Sequence, residues 1–519
     1  MENIPDDPTI IQPIFDEVRA SFYEKAKTRP LSYRKEQLKN LLKGLKDLEE
    51  KFHEAWNADL GGGKFSSQML SYHLTVGETQ EALHKLEEWN KPTVVDTPLS
   101  IGPGKSYLLP EPLGVILVVG AWNYPLSLTV PYVASAIAGG NCVIAKASEL
   151  APHTSKVLKE LFEKYLDKEC FRLVEGKAEV AKAITRLPFD KIVFTGSTEK
   201  GKLVAKAAAD NLTPCLLELG GKSPTIVDRD CDLNNATLRI CQGRFTNAGQ
   251  SCVACDYVFV HKDIKEKFVE EMKKKIIQFY GEDPLKSKDF GRIINEFHCT
   301  RLKGYLDENH GGKVIIGGQV NAKERYVAPT LIDSPRFDCK LMKDEIFGPI
   351  LPIFEFDNID MVIQFINKRD KPLALYYYGS GSSQNYKRVR DFTSSGALCL
   401  NESLIHFAHA FLPFGGVGAS GMGFVHGYNG FKELVHFKPV FEKGAINCYP
   451  FNARYPPYTP HKQQLLLSLL TKPTLKQKHL NIAIAFILLI LAFILAFRYG
   501  AIDEAKKSVV NLLKKGADL

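Results

Sequence analysis

The sequence lacks the features that mark secreted, disulfide-rich and nucleic-acid-binding proteins. Residues 1–7 are acidic and contain no apolar stretch, so neither a secretory signal nor a transit peptide is predicted. The 11 cysteines lack the dense, regular spacing of a disulfide scaffold, which favours a reducing, cytosol-like compartment for the main body. The 67 basic and 59 acidic residues give a net charge of only +8, and this small excess does not call for a nucleic-acid partner.

One long apolar run stands near the C-terminus. Residues 480–497 are interrupted only by Asn481, and as a helix they would reach roughly 27 Å, close to the thickness of a membrane's hydrocarbon core. Lysines flank the run on both sides, and residues 498–519 form a basic tail. These features predict a transmembrane anchor with the rest of the chain facing the cytosol. A buried core helix, or a helix lying in the membrane interface, is the alternative.

Apolar periodicity predicts an α/β protein with a doubly wound parallel sheet. Residues 10–95 have the spacing of two or three amphipathic helices, and short β-branched runs then alternate with helical segments. Strands are predicted at residues 114–120, 142–145, 191–194, 224–227 and 257–260, with helices at 125–138, 153–165, 233–248 and 262–279. The last two strands indicate a second α/β domain. Residues 425–460 look irregular, and residues 463–470 predict a short amphipathic helix.

Two glycine-rich segments match phosphate-binding patterns. The first consists of Gly196, Ser197, Thr198, Glu199, Lys200 and Gly201. It joins a predicted strand to a predicted helix, a turn that directs backbone N–H groups and a helix dipole at an anion. Leu203 stands where a triphosphate-binding loop needs Ser or Thr for magnesium, so dinucleotide binding is favoured, with a plain tight turn as the alternative. The second segment, residues 416–421, has no clear strand before it and no clean amphipathic helix after it, so we interpret it as a coincidental match.

Cys252 is a candidate nucleophile on a loop between a predicted helix and a predicted strand. A reactive thiol needs access and an environment that favours the thiolate, and an inert cysteine is the alternative for any single position. The pair Cys252 and Cys255 also has the spacing of a redox dithiol, but such pairs open a helix and here a strand follows. The sequence contains no second pair with ligand spacing, so no metal site is predicted.

Two acidic positions and one amide complete the candidate chemistry. Glu218 stands among apolar residues before two glycines, where desolvation would raise its pKa and suit a general base; an ordinary glutamate at a surface edge is the alternative. Glu345 precedes an aromatic turn, and Asn123 follows a predicted strand. Each of these signals is weak when taken alone.

Together the motifs resemble the aldehyde dehydrogenase superfamily over roughly residues 10–450. They are, in order, Trp122-Asn123-Tyr124-Pro125, Lys146 to Glu149, the 196–201 turn, Glu218-Leu219-Gly220-Gly221-Lys222, Gly249-Gln250-Ser251-Cys252, Glu345-Ile346-Phe347-Gly348-Pro349 and Pro413-Phe414-Gly415-Gly416. The short N-terminus, Asp256-Tyr257, the run Gly421-Met422-Gly423 with His426-Gly427, and the predicted anchor resemble the class 3 branch, and within it the membrane-anchored fatty aldehyde dehydrogenases, including the fungal form.

The resemblance implies an aldehyde dehydrogenase fold with a Rossmann-like cofactor domain, an α/β catalytic domain and a small β oligomerisation arm. Cys252 would attack the aldehyde as a thiolate, and Asn123 with the Cys252 N–H would hold the oxyanion. Glu218 would then activate water to hydrolyse the thioester. The implied activity is NAD-dependent oxidation of medium- to long-chain fatty aldehydes, such as hexadecanal or hexadecenal, with aromatic aldehydes as additional substrates. A non-catalytic membrane scaffold of the same fold and a CoA-acylating aldehyde dehydrogenase are the alternatives.

The resemblance also implies a cofactor site and a homodimer. The cofactor-binding residues would be the 196–201 turn together with Lys146, Glu149, Trp122, Glu345, Phe347 and Phe414. A carboxylate such as Glu149 at the adenine ribose favours NAD, with NADP as a second acceptor. Two positions depart from the family pattern, which usually has proline at Ala147 and, in the class 3 branch, at Cys255. A thiol at position 255 could form a reversible disulfide with Cys252, or it is a neutral substitution.

The expected domain boundaries follow from the resemblance and from the apolar run. We expect an NAD-binding domain at 1–216 with part of the oligomerisation arm near 95–112, a catalytic domain at 217–424, the rest of the arm and an extension at 425–460, a gating helix and linker at 461–479, the transmembrane anchor at 480–497 and the basic tail at 498–519. The anchor would place the enzyme on the mitochondrial outer membrane or the endoplasmic reticulum, with the lipid-droplet surface as a third candidate.

Overall fold

The computed structural model describes residues 4–445, 447, 449, 451–471, 477–498 and 504–510. The α-helices are α1 (Ile11–Tyr23), α2 (Leu31–Asp47), α3 (Glu49–Leu60), α4 (Gly63–Ser67), α5 (His73–Trp89), α6 (Val130–Gly139), α7 (Pro152–Tyr165), α8 (Ala178–Ile184), α9 (Thr198–Ala209), α10 (Leu233–Phe245), α11 (Lys265–Tyr280), α12 (Glu296–Asp307), α13 (Ile359–Asn367), α14 (Gln384–Phe392), α15 (Gly427–Glu433), α16 (Pro460–Leu470) and α17 (Gln477–Arg498).

The strands are β1 (Thr93–Val95), β2 (Lys105–Pro112), β3 (Val115–Val119), β4 (Cys142–Lys146), β5 (Phe171–Val174), β6 (Lys191–Thr195), β7 (Cys215–Glu218), β8 (Pro224–Val227), β9 (Tyr257–His261), β10 (Lys313–Ile316), β11 (Val320–Asn321), β12 (Tyr326–Val327), β13 (Thr330–Asp333), β14 (Ile350–Phe356), β15 (Ala374–Tyr378), β16 (Ala397–Leu400), β17 (Gly421–Met422) and β18 (Val435–Glu442).

The chain forms two units of contacting residues. The first unit comprises Met1–Asn90 and Glu111–His436, and it contains both large sheets. The second unit comprises residues 91–110 and the described residues from 437 onward. A three-stranded sheet in the order β1-β2-β18 accounts for most of the regular structure around residues 93–112 and 435–442. The domain boundaries expected from the sequence stay predictions.

The first sheet has the order β17-β7-β6-β3-β4-β5 and is parallel except for β17. Strand β3 is a continuous apolar run because helices cover both faces of a parallel sheet, and every residue of α6 beside it is buried. From β3 the chain runs outward through β4 and β5, and then returns to the other side of β3 for β6 and β7. Such a reversal of strand order creates a crevice at the carboxyl ends of the strands, where ligands bind in this architecture.

The second sheet has the order β10-β13-β14-β9-β8-β15-β16 and is parallel except for the pairing of β10 with β13. Its strands β8, β9 and β15 are buried along their whole length, and helices such as α10, α11 and α13 pack their apolar faces against it. The predicted α/β class and the parallel sheet with helices between its strands are therefore confirmed, as is a second α/β sheet.

Three expectations concern the chain from residue 425 onward. The prediction that residues 425–460 are irregular is wrong, because α15 and β18 lie within them. The predicted amphipathic helix at 463–470 lies inside α16. Residues 480–497 lie within α17, although several of their side chains fall outside the described residues. Within the described part of the chain, no helix meets the length and hydropathy that a membrane crossing requires, so the transmembrane anchor is not confirmed.

Candidate active site

The loop that carries Cys252 is held in a strained, fixed conformation. Helix α10 ends at Phe245, and Asn247 and Ala248 then both adopt the left-handed region with φ of 51°. Non-glycine residues rarely occupy this region, so the surrounding contacts must hold it. The buried side chain of Gln250 donates to the carbonyl oxygens of Asn247 at 3.0 Å and Arg292 at 2.9 Å. These bonds fix the backbone just before the half-buried Cys252.

Asn123 is tied directly to this loop. It follows β3 and is 4% exposed, and its Nδ2 donates to the carbonyl oxygen of Gln250 at 3.1 Å. In return, Nδ2 of Asn247 donates to the carbonyl oxygen of Asn123 at 2.9 Å. A primary amide carries two N–H groups, so the bond to Gln250 uses only one of its donors. The structure thus places the expected oxyanion donor against the backbone of the nucleophile loop.

Glu218 ends β7 as a buried carboxyl group. It is 4% exposed, and within the described part of the chain neither carboxyl oxygen has a hydrogen-bond partner. Burial raises the pKa of Glu218 well above its ordinary value, and the negative charge of Glu433 raises it further. A carboxyl with a raised pKa and free oxygens can take a proton from water, which is the chemistry of a general base.

Glu345 lies over the glycines that follow Glu218. A Cβ atom on Gly220 would stand 1.9 Å from Oε2 of Glu345, so a side chain at position 220 would displace this carboxyl group. Burial raises the pKa of Glu345 to about 8, and the charge of Asp256 adds to the effect, while a hydrogen bond from the Gly221 N–H opposes it. The motifs around residues 218–222 and 345–349 therefore contact each other.

Cys252 shares its electrostatic environment with both carboxyl groups. Burial raises the pKa of the Cys252 thiol, and the negative charges of Glu345 and then Glu218 raise it further. The thiolate is the reactive form, so a base must take the thiol proton as the nucleophile attacks. Sequence reasoning placed these three residues in one site, and the structure brings them together.

Asp256 connects the nucleophile loop to the Glu345 segment, a role that sequence reasoning missed. This 2%-exposed carboxylate accepts from Lys222 Nζ at 2.6 Å, from Arg244 Nη1 at 3.1 Å and from the Ile346 N–H at 3.1 Å. Arg244 is fully buried, so the ion pairs are shielded from solvent. The signal available in the sequence was a charged residue between the apolar Cys255 and a buried strand.

Part of the predicted cofactor set, Lys146, Glu149 and the 196–201 turn, lies at the carboxyl ends of β4 and β6 in the first sheet. Lys146 ends β4, is 3% exposed and donates to Glu149 Oε2 at 3.0 Å. Ser197 caps α9, where its hydroxyl accepts from the Lys200 N–H at 3.4 Å, and Thr198 donates to the carbonyl oxygen of Ala419 at 3.2 Å. A capped helix start directly after a parallel strand suits a pyrophosphate, and a carboxylate in the loop after β4, at the same edge of the sheet, suits a ribose hydroxyl. These residues fit a dinucleotide.

Other members of the 196–201 turn serve local packing. A Cβ atom on Gly196 would stand 2.6 Å from the ring of Phe194, and one on Gly201 would stand 2.6 Å from Leu219. Glu199 is exposed and pairs with Lys202 at 2.7 Å. The two glycines therefore allow α9 to begin directly against β6 and β7.

The predicted aromatic residues form two groups. Trp122 packs against Phe347 with ring centroids 5.2 Å apart and against His298 at 5.1 Å. Phe414 instead contacts His406 at 5.9 Å and His426 at 5.4 Å. The structure therefore joins Trp122 to the Glu345 segment and places Phe414 among histidines that the sequence did not single out as site residues.

The glycine-rich segment 416–421 leads into β17, the short strand that pairs with the Glu218 strand β7. Gly421 lies on β17 opposite Glu218, and a Cβ atom there would stand 2.1 Å from the carbonyl oxygen of Leu217. The next helix, α15, begins only at Gly427. Close packing against β7 thus explains Gly421, and Gly416 allows the tight turn that brings Ser420 close to it.

Cys255 points into the protein core. Its thiol is fully buried and donates to Ser403 Oγ at 3.2 Å. A disulfide with Cys252 would require this thiol to leave Ser403. Among the described residues, no cluster of three His, Cys, Asp or Glu side chains could hold a metal ion.

Comparison with known proteins identifies relatives along most of the chain. Residues 11–440 match the family model described as "Aldehyde dehydrogenase family". The sequence is 42% identical over 435 residues to aldehyde dehydrogenase family 3 comG of Dictyostelium discoideum, covering 84% of this chain and 92% of that protein. It is 38% identical over 447 residues to the dimeric NADP-preferring aldehyde dehydrogenase of Canis lupus familiaris, covering 86% of this chain and 98% of that protein. The solved structure of the substrate-bound state of Staphylococcus aureus AldH superposes with a TM-score of 0.86 at 39% identity, covering 89% of this chain and 99% of that one.

Proposed function

The chain belongs to the aldehyde dehydrogenase family and is an oxidoreductase acting on aldehydes, and on this premise we propose that it oxidises medium- to long-chain aldehydes to carboxylic acids through a thioester on Cys252. The observation that carries this mechanism is the placement of Cys252, Asn123 and Glu218. The amide of Asn123 is bonded to the nucleophile loop, and the charge of Glu218 acts on the Cys252 thiol.

The first half of the reaction is attack by Cys252. One of the nearby carboxylates takes the thiol proton, because their charges oppose a free thiolate. The sulfur bonds to the aldehyde carbon, and the developing oxyanion accepts hydrogen bonds from Asn123 Nδ2 and the Cys252 N–H, each typically contributing about 3–4 kcal/mol to lowering the barrier. A bound nicotinamide supplies the acceptor for the hydride that leaves this carbon.

The second half is hydrolysis of the thioester. Glu218 has no hydrogen-bond partner among the described residues, so both oxygens are available to a water molecule. The carboxylate takes one proton from the water while the water oxygen bonds to the acyl carbon, and Cys252 leaves as a thiolate. This arrangement supports water as the acceptor over CoA. Product analysis with and without CoA distinguishes the two, because an acyl-CoA product would contradict the hydrolytic mechanism.

We propose NAD as the preferred hydride acceptor, with NADP as a second. The support is Glu149, whose carboxylate is held by Lys146 next to the carboxyl end of β4. A carboxylate near the adenine ribose accepts from a free 2′-hydroxyl and repels a 2′-phosphate. The relative from Canis lupus familiaris is named as NADP-preferring and dimeric. Its name also supports the proposal that this chain forms a homodimer.

The proposed substrate preference depends on the C-terminal segment. Large apolar side chains are exposed along α17, among them Ile482 at 65%, Phe486 at 62% and Leu489 at 68%. Such a surface supports attachment to a membrane, and we propose the mitochondrial outer membrane or the endoplasmic reticulum, with the lipid droplet as a third candidate. Long-chain aldehydes partition into membranes by about 0.8 kcal/mol per buried methylene, so a membrane-attached enzyme meets them at high local concentration.

The experiment that tests the function is NAD reduction by purified full-length protein with hexadecanal, with aromatic aldehydes and shorter chains for comparison. We expect kcat/KM to rise with chain length, and Cys252→Ala to abolish activity. A preference for aldehydes of about two or three carbons would contradict the proposed substrate class. Absence of activity with every aldehyde would contradict the catalytic proposal and favour a scaffold.

A further inference from the structure

A small cavity lies beside the strand pair that carries Glu218. Its volume is about 10 Å³, close to the minimum that holds one water molecule. Its polar lining comes from Glu78 on α5, Tyr132 and Ser135 on α6, and His426. Val193 and Leu216 contribute its apolar wall. A water molecule here would have several polar partners.

The strand register places this cavity two residue pairs away from Glu218. Val193 pairs with Leu216 across β6 and β7, and Thr195 pairs with Glu218. Alternate residues of a strand lie on the same face, so the cavity wall and the Glu218 carboxyl share one face of the sheet. Two residues along a strand span about 6.6 Å. The cavity and the Glu218 side chain are therefore neighbours beneath α6.

Polar groups without hydrogen-bond partners lie at the Thr195–Glu218 position of the strand pair. Both carboxyl oxygens of Glu218 and the hydroxyl of Thr195 are buried, and among the described residues they have no hydrogen-bond partner. Tyr132, which lines the cavity, is also influenced by Glu218: burial raises the pKa of its hydroxyl, and the charges of Glu218, Cys252 and Glu78 raise it further. Buried polar groups that remain unpaired are costly, so their clustering here calls for a function.

Glu78 and His426, which also line the cavity, lie close to each other. Nδ1 of His426 lies 3.0 Å from Glu78 Oε1, and the Gly427 N–H donates to Glu78 Oε2 at 3.0 Å. Their side chains are 14% and 18% exposed, whereas Glu218 is 4% exposed. His426 has a φ of 74°, a conformation that non-glycine residues rarely adopt. The pair thus connects the buried cavity to a more accessible position.

We propose that Tyr132, a water molecule in this cavity and the Glu78–His426 pair carry away the proton that Glu218 takes from the hydrolytic water. This inference rests on the proposed hydrolytic function. When the water oxygen bonds to the acyl carbon, one proton bonds to Glu218. Glu218 then returns to the carboxylate as the proton passes to the Tyr132 hydroxyl, directly or through Thr195, while that hydroxyl releases its own proton to the cavity water. The water passes a proton to Glu78, and His426 transfers it to solvent; no group is oxidised or reduced.

The decisive variant is Glu78→Gln in the full-length enzyme. Gln still accepts the hydrogen bond from the Gly427 N–H but does not take up a proton. We expect acylation and hydride transfer to stay intact, giving an NADH burst of about one equivalent per active site, followed by steady turnover at least about tenfold slower than in the parent. The slow phase should show an increased solvent deuterium isotope effect, because proton release has become limiting. Tyr132→Phe should give the same pattern.

The matched control is Glu87→Gln, which removes a carboxylate from the exposed side of the same helix, where it pairs with Lys35. This variant should keep parental kinetics. Steady turnover within about twofold of the parent in both Glu78→Gln and Tyr132→Phe would overturn the proposal. A burst and a steady rate that fall together would also overturn it, because they indicate a structural role. Failure of the parent enzyme to form NADH would instead contradict the proposed function.

Discussion

Replacing Glu345 with Gln should remove a pH-dependent loss of stability. Burial raises the pKa of Glu345 from 4.5 to about 8. A carboxyl with a higher pKa in the folded chain than in the unfolded chain binds its proton more tightly when folded, so its ionisation opposes folding. The stabilisation of the folded chain by protonated Glu345 is fully present below pH 4.5. It falls by about 1.4 kcal/mol per pH unit above that value and is lost once the pH has risen through about 8.

The magnitude follows from the part of this window that is accessible in solution. Between about pH 6 and about pH 8 the loss is on the order of 2–3 kcal/mol, and solvent screening at the half-buried side chain places the expected value at about 2 kcal/mol. Gln has the shape of Glu and should occupy the space above Gly220 without a charge. The free energy of unfolding of Glu345→Gln, relative to that of the parent, should therefore rise by about 2 kcal/mol over this interval.

The assay is urea unfolding of the cofactor-free protein at several pH values between about 6 and 8, followed by tryptophan fluorescence. Trp122 packs against Phe347, so its emission reports on this region. Asp344→Asn, an exposed change one residue away, is the control and should show no such pH dependence. A free-energy difference for Glu345→Gln that stays constant with pH, or that shrinks as pH rises, would refute the reasoning.

Three further predictions concern the site. Asp256→Asn leaves the buried cations Lys222 and Arg244 without their carboxylate, and denaturant unfolding should show a loss of about 3–5 kcal/mol. Glu149→Gln should lower the ratio of kcat/KM for NAD over NADP by about tenfold, measured with one aldehyde; an unchanged ratio would place the adenine ribose elsewhere. Glu218→Gln should retain the NADH burst and slow steady turnover by at least about 100-fold, and the parent's steady rate should rise with pH because raised-pKa Glu218 acts only when ionised.

Short buried strands were predictable because they leave a strong local signal. Runs such as 114–120 and 142–145 are continuously apolar, since both faces of a parallel sheet are covered by helices. Helix boundaries were less predictable. The segment predicted as a helix from residue 125 begins as one only at Val130, because the backbone of Thr129, with φ of −131° and ψ of −62°, is not helical.

Interactions between segments that are distant in the sequence could not be predicted from the sequence alone. The buried role of Asp256 depends on Lys222, 34 residues before it, and on the Ile346 N–H, 90 residues after it. The glycine at position 220 was noted as part of a motif, but the need for it arises only when Glu345 packs above it. Likewise, residues 416–421 match a phosphate-binding pattern, and only the pairing of β17 with β7 shows that Gly421 is needed for the close approach of the two strands.

The charges around Cys252 also impose an order on the proposed reaction. Glu345 and Glu218 both oppose ionisation of the thiol, so a free thiolate and two carboxylates do not coexist at low cost in this buried site. A carboxylate that takes the thiol proton becomes neutral, so the attacking thiolate faces one negative charge fewer. Where Glu218 is that carboxylate, it must lose this proton before it can take one from water, because only the ionised carboxylate acts as a base. The thioester has no proton to give back, so release of the first proton lies between attack and hydrolysis and couples the two steps.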